Sequence, residues 1–481
     1  MKLHCVRAIA VALAVAGCAP TAAEPPPPVG WDQDIRGTEL VDRNKDPEVV
    51  EVDLEARVAP VTFTGGVATE MWTYGGSVPG PLIRVPQGAR LIVHFTNNLP
   101  SETTVHWHGI RLPADMDGVP DHSQPAVQPG QTFDYDFVVP DAGLFWYHPH
   151  VRSAVQVGQG LYGALLVEAR KGFDRSRAGF APELGPELVL VLSDVFLRDD
   201  GQLGDPTSGG DLATLFGREG NMVLVNGKVA PTVLARPGQR QRWRIVNAAI
   251  SRYFQIGMAG HTFTRIGSDG GLLTSAEETD VLVLTPGQRE DVLVTPRGDA
   301  GAVLPVRWIP YDRGFGSTEF RPEEQIMNVR LTEDPPIVEP PPALPTVLRD
   351  IQRLDVSGAG TRSISLTQST IDGKLILGVD GVPSWEAEPL HAHVGETEVW
   401  TVTNLMKWDH PFHLHGFFLQ SVDPVTGLVL SPEWRDTLNV PRDGVIAFAV
   451  KYEDRPGMWM FHCHILDHAD AGMMGMIHLH P

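Results

Sequence analysis

One pattern recurs three times along the chain and limits its fold more than any other feature. The segments ARLIVHFTNNLP (Ala89 to Pro100), RQRWRIVNA (Arg240 to Ala248) and TEVWTVTNL (Thr397 to Leu405) each follow a nearby glycine, alternate apolar with polar residues, and end at asparagine. Alternation with period two is the signature of a half-buried strand, and the Gly, Pro and Asn punctuation between such runs is that of β-sandwiches. The copies lie about 150 residues apart, which implies one sandwich unit used three times. A second repeated element runs in step with the first: TYGGSVPGPLIRV from Thr73, VLVNGKVAPTVLA from Val223 and ILGVDGVPSWEAE from Ile376. Helical periodicity is scarce. Two linkers, EARKGFDRSRAGFAPELGPE (Glu168 to Glu187) and the Pro-rich EDPPIVEPPPALP (Glu333 to Pro345), divide the chain into units at roughly 45–170, 185–335 and 345–481.

The first residues, MKLHCVRAIAVALAVAGCAP, read as an export signal: a basic start at Lys2 and Arg7, an apolar stretch from Ala8 to Ala16, then small residues. Two processing routes fit residues 1–23. Val15-Ala16-Gly17-Cys18 resembles a lipobox, in which Cys18 carries a lipid anchor, whereas Thr21-Ala22-Ala23 suits ordinary cleavage. Residues 24–44 begin with EPPPP, a stiff leash. The expected location is therefore outside the cytoplasm, periplasmic or anchored to the outer membrane as a lipoprotein. A net charge of -21 argues against a nucleic-acid partner, because phosphates repel an acidic surface.

Of three cysteines, Cys5 and Cys18 belong to the leader, so Cys463 is the one thiol of the folded body. An unpaired thiol in an oxidising compartment is a liability unless something occupies the sulfur, and a metal would. Its context, HCHILDHADAGM, places His462 and His464 on either side, His468 five residues on and Met473 ten residues on. Ten of the eighteen histidines fall in four groups: HWH (His106, His108), HPH (His148, His150), DHPFHLH (His410, His413, His415) and HCHILDH (His462, His464, His468). The middle third carries only His261, so the histidine chemistry belongs to the two ends of the chain. On a strand, His462 and His464 face one way and Cys463 the other, which requires two metal sites back to back. Cys463, His468, Met473 and a remote histidine such as His410 make the His2Cys-thioether set of a blue-copper site; zinc competes less well, since thioether is a poor zinc ligand. Eight histidines remain on the other side, more than one ion can use, and imply a cluster of several ions. Two further His-x-His pairs, His391/His393 and His478/His480, read as solvated strand residues.

These motifs, in this order and spacing, resemble those of the multicopper oxidases, specifically three-domain bacterial laccases and cuprous oxidases, over essentially the whole chain from about residue 45. The resemblance implies an all-β fold of three cupredoxin-like Greek-key sandwiches holding four copper ions. His410, Cys463, His468 and Met473 would hold the type 1 ion, and His106 with His413 the type 2 ion. The type 3 pair would take His108, His148 and His464 on one ion, and His150, His415 and His462 on the other. The implied reaction is one-electron oxidation of a phenolic or aromatic donor coupled to reduction of O2 to water. The donor enters electrons at a partly exposed His410 or His468, and Cys463 passes them on to His462 or His464. Oxidation of Cu(I) is the alternative. Non-catalytic copper binding is disfavoured because none of the twelve ligands is substituted.

Asp117, in DMDG, matches the family's acid beside the cluster; as a residue before Gly118 it also suits a plain turn. Many bacterial relatives carry glutamate directly after the last type 1 histidine. Here Ala469 stands there, and Asp470 follows as the substitute proton relay. Met473 at the axial position implies a low-to-moderate potential. The methionines Met406, Met458, Met460, Met474 and Met476 suit either a soft-metal surface or core filling. The expected partners are O2 and a small reductant, and the expected state is a monomer.

Overall fold

The three alternating segments form strands Arg90–Asn98, Gln241–Asn247 and Thr397–Asn404, and each takes the same place in its sheet. Each pairs in parallel with the first strand of its unit, Val49–Val61, Glu187–Val195 or Gly360–Ile371. On its other side each pairs antiparallel, with Thr132–Val138, Arg289–Val294 or Val445–Lys451. This computed structural model describes residues 26–63, 66–170, 184–314, 321–371, 373–430 and 432–481. Residues 1–25, where an export signal and lipobox are expected, and most of the first linker lie outside the described residues.

The terminal asparagine of each segment has the same job. Asn97, Asn247 and Asn404 are buried, and each accepts through Oδ1 the backbone N–H two residues on, from Leu99, Ala249 and Met406. Each Nδ2 donates to carbonyls across the loop: Ser101 and Val127 for the first, Arg252 and Leu284 for the second, and Trp408, Val440 and Pro441 for the third. An Asx turn thus ends each strand and satisfies carbonyls that burial would otherwise orphan. In the first and last units the chain leaving this lock leads to HWH and DHPFHLH.

A second sheet closes each sandwich, and the paired sheets span 49–168, 187–331 and 360–480. Fully buried tryptophans fill the cores, Trp107 in the first, Trp243 and Trp308 in the second, Trp400 and Trp459 in the third, whereas Trp146 is buried on the face that packs against the middle unit. The middle unit departs from simple alternation. Strand Gln241–Asn247 is buried on both faces, including Arg242 and Arg244. Their charges are matched by Asp291 and Glu187, at 2.9 Å from Arg242 Nε and 2.7 Å from Arg244 Nε, since buried charges require partners. Three short helices, Ser153–Gly158, Gly210–Phe216 and Leu466–Asp470, lie between units rather than within them. Among the described residues, no helix is long and apolar enough to cross a membrane.

Candidate metal centre

Strand register brings the histidine motifs together. His106 lies opposite His148 on the paired strands His106–His108 and Gly143–His148. In the last unit His413 lies opposite His462, and Phe412 opposite Cys463. Side chains paired across a ladder share a face, so His462 and His413 look one way while Cys463 and His410 look the other. Two nests therefore sit back to back on one strand.

On the sulfur side, His410 Nδ1 lies 3.4 Å and His468 Nδ1 3.5 Å from Cys463 Sγ, with 3.1 Å between the two nitrogens. Met473 is buried in the same core, and its carbonyl accepts the Cys463 N–H at 3.1 Å. Burial pushes the Cys463 thiol up, so this sulfur stays protonated unless a metal displaces the proton. Burial, then the Arg313 charge, holds His468 at about 3, which leaves its imidazole neutral and able to ligate. The expectation of a partly exposed histidine port fails: both His410 and His468 are at 0% exposure. For His468 the cause lies in the middle unit. His468 Nε2 donates to the carbonyl of Leu215 at 3.0 Å, and Leu215 belongs to helix Gly210–Phe216, which roofs this nest.

On the other side eight imidazoles converge, seven buried and His150 partly so. His108 stacks on His413 at 3.8 Å between ring centres, and His106 on His415 at 3.9 Å. Three sets bring one nitrogen of each member within 4.8 Å: His106/His108/His413, His106/His150/His415 and His108/His148/His464. His462 joins through His415, Nε2 to Nε2 at 3.2 Å.

The rings are oriented by oxygens behind them. His106 Nδ1 donates to the Asp117 carbonyl (2.8 Å), His413 Nδ1 to the Asp436 carbonyl (2.9 Å) and His148 Nδ1 to the Pro149 carbonyl (3.1 Å). A ring that donates from one nitrogen presents the other bare. Those opposite atoms, Nε2 of His106, His148 and His413, are buried without a hydrogen-bond partner among the described residues, as are His108 Nδ1, His150 Nε2 and both nitrogens of His464. Each such atom costs about 1–3 kcal/mol if left unmet. So many convergent lone pairs, with burial disfavouring protonation of His108, His148, His415, His462 and His464, suit metal cations. Imidazole and thiolate donors suit copper.

The carboxylates divide by position. Asp117 Oδ2 accepts from His415 Nδ1 at 2.7 Å, and Oδ1 lies 3.2 Å from His106 Nδ1. Burial raises its pKa although His106 opposes this. Asp117 also ends the short 3-10 turn Ala114–Met116, so its turn and cluster readings hold together. Asp470 sits elsewhere: its oxygens accept the Ser153 and Ala154 N–H groups at 3.0 Å each, tying helix Leu466–Asp470 to helix Ser153–Gly158. Burial lifts it to about 6, partly offset by those two donors.

Three contributors escaped the sequence reading. Asp436 Oδ1 lies 3.2 Å from His108 Nε2 and is held by Arg289, which also donates to the carbonyls of Leu144, Gly287 and Asp269. One arginine of the middle unit thus joins all three units behind the cluster. Gly287, at φ +89°, is the third: a Cβ there would lie 3.0 Å from His108 Cε1 and His464 Cδ2. Nothing in RDT or PGQR marks these residues locally; only the fold brings them to the histidines.

Comparison with known proteins agrees with this geometry. Three family models described as multicopper oxidase match residues 55–172, 187–302 and 362–480. The multicopper oxidase MmcO of Mycobacterium tuberculosis is 32% identical, with 85% of this chain and 83% of that protein covered. A laccase of Bacillus subtilis is 26% identical over 84% of this chain and 89% of its own. Among solved structures, a multicopper oxidase from Pseudomonas thermotolerans is similar with TM-score 0.75 and 30% identity, covering 90% of this chain and 99% of the other. A Campylobacter jejuni metallo-oxidase gives TM-score 0.78 at 27% identity, covering 93% and 97%. Three cupredoxin-like sandwiches, a sulfur nest and a histidine nest on one strand, and matches across all three units lead to one conclusion: the chain belongs to the multicopper oxidase family.

Proposed function

We propose that the protein is a laccase-like oxidase that takes single electrons from phenolic or aromatic donors and delivers four to O2. It is a copper-dependent oxidoreductase by family; the donor class rests on a cavity. Helix Gly210–Phe216 touches His468 through Leu215, and its other residues, Leu212, Ala213 and Phe216, line a space of about 650 Å³ with Arg218 and Ile250. That is the size of pocket that takes a small aromatic molecule. A donor there is separated from the sulfur nest by one helix backbone and the His468 ring.

We assign His410, Cys463, His468 and Met473 to a type 1 copper, His106 and His413 to type 2, and His108/His148/His464 with His150/His415/His462 to a type 3 pair. Bound copper supplies one-electron redox chemistry in the sulfur nest and O2 reduction in the histidine nest. The chain connects the two. Cys463 is bonded through its own backbone to His462 and His464, and the His462 Nδ1–H donates back to the Cys463 carbonyl at 2.9 Å, a second link. Asp117 is the proton-holding group of the histidine nest, in contact with His415 and near His106. Asp470, bonded to two backbone amides, serves the helix junction in this reading and only secondarily a relay.

The reading carries units at 45–170, 185–335 and 345–481, export to the periplasm or outer membrane with Cys18 as the lipid attachment point, and a monomer with O2 and a small reductant as partners. Cu(I) oxidation is the second reading, favoured by half-buried Met458, Met474 and Met476. The test is oxygen uptake by copper-loaded, dialysed protein given a simple phenol, repeated with excess Cu(II) and with Cys463→Ser. Uptake without added copper that vanishes in Cys463→Ser supports the laccase-like reading. Uptake only with added copper transfers it to Cu(I) oxidation, and no uptake with any donor refutes both.

A further inference from the structure

The two His-x-His pairs set aside as solvated residues lie together. Strand Leu390–His393 pairs in parallel with strand Met474–His480, placing His391 beside His478 and His393 beside His480. Residues two apart on a strand share a face, so four imidazoles form a two-by-two patch at the edge of the last unit's sheet. His391 and His393 are exposed, and His478 and His480 half-exposed. The rings of His391 and His480 stack at 5.1 Å, those of His478 and His480 lie 4.1 Å apart, and His391 Nδ1 is 2.9 Å from His480 Nε2. One nitrogen each of His391, His478 and His480 falls within a 4.8 Å set. Two imidazoles on one tetrahedral ion sit about 3.3 Å apart at metal–nitrogen bonds of about 2.0–2.1 Å. Small ring rotations would close this patch on a metal. Desolvation and the neighbouring His478, His391 and His393 rings lower the His480 pKa, which favours the bare nitrogen that a metal needs.

A second observation gives the patch a direction. The next strand, Gly457–Cys463, pairs Met458 with His478, Met460 with Met476, and His462 with Met474. Paired residues share a face, so a row of thioethers lies between the histidine patch and His462 on that face. The opposite face of the same strands carries Trp459, Phe461, Cys463, Ile477 and Leu479 in the hydrophobic core. The methionines are therefore not simply core filling: Met458, Met474 and Met476 are half-exposed on the other side. Thioether and imidazole together select copper over harder ions.

We propose that His391, His478 and His480, with His393 alongside, form a further copper site at the surface, and that the methionine row makes it an intake point for the histidine nest. The site does not depend on which donor the enzyme oxidises.

The test uses the fully loaded enzyme, dialysed against micromolar Cu(II) and assayed for metal by mass spectrometry. One additional ion per chain is expected, with a Cu(II) electron paramagnetic resonance signal showing nitrogen couplings. His391→Ala/His480→Ala should weaken that binding at least tenfold and leave phenol oxidation unchanged. Intake is read separately, by the rate at which metal-free protein regains copper from anaerobic Cu(I). At least a fivefold slowing is expected in the double histidine variant and in Met458→Leu/Met476→Leu. Equal surface binding by the wild type and the histidine variant overturns the site. Unchanged refilling rates in both variants overturn the intake role.

Discussion

Replacing Asp436 by Asn tests whether the knot behind the histidine nest is a tie between domains or an incidental contact. Asp436 and Arg289 are each 1% exposed, so neither charge has water to fall back on. Arg289 Nη1 donates to Asp436 Oδ1 at 2.8 Å, and Nη2 donates to Oδ2. Breaking a buried pair by neutralising one partner costs about 3–5 kcal/mol, because the remaining charge is left uncompensated. The lower end applies here. Asn keeps the Oδ1 acceptor, Arg289 keeps three carbonyls, and Asp269 Oδ1 stands 3.6 Å from Nη1 as a partial substitute. A loss of about 3 kcal/mol corresponds to a fall of about 6–12 °C in Tm for a unit of this size. The assay is calorimetry of metal-free protein at one scan rate, so that copper loss does not enter. Arg289→Met/Asp436→Leu, which removes both charges, should recover at least half of the loss. A shift under about 2 °C for Asp436→Asn, or a double variant no better than the single, would refute the electrostatic account.

Other substitutions test the remaining pieces. Asp117→Ala removes the acceptor that orients His415 and should weaken copper affinity of the histidine nest by about 10–100-fold, read by chelator competition; unaltered affinity would show that the ring is held by packing alone. Ala213→Trp, which fills the cavity beside His468, should raise KM for bulky phenols severalfold at constant copper content, and an unchanged KM would place the donor elsewhere. Asn404→Ala strands the Trp408, Val440 and Pro441 carbonyls and should cost about 2–3 kcal/mol in denaturant unfolding. Copper removal should lower Tm, since a ligand present at about 1,000 times its Kd stabilises by about 4 kcal/mol; identical midpoints with and without chelator would mean the ions bind without stabilising the fold.

Much of this protein was legible in one dimension. Period-two alternation at Arg90–Asn98, Gln241–Asn247 and Thr397–Asn404 determined that these are strands, and their spacing determined three similar units. The same geometry placed Cys463 and His462 on opposite sides of one strand, because successive side chains on a pleated backbone must alternate. Local rules of this kind need no knowledge of the partner strand. What depended on long-range packing could not be read. The burial of His468 comes from helix Gly210–Phe216, about 250 residues away in sequence. Asp436, Arg289 and Gly287 reach the histidines only because three sandwiches meet there, and a lone Asp, Arg or Gly carries no local pattern. Asp470 shows the converse: its neighbours in sequence are the histidine and methionine of the sulfur nest, yet its oxygens face the backbone of another unit. The surface histidines show why: His391 and His480 are ordinary strand residues until register sets them 2.9 Å apart. Sequence periodicity determines which way a side chain points; only the tertiary fold decides what it meets, because contacts between distant segments depend on the packing of whole sheets.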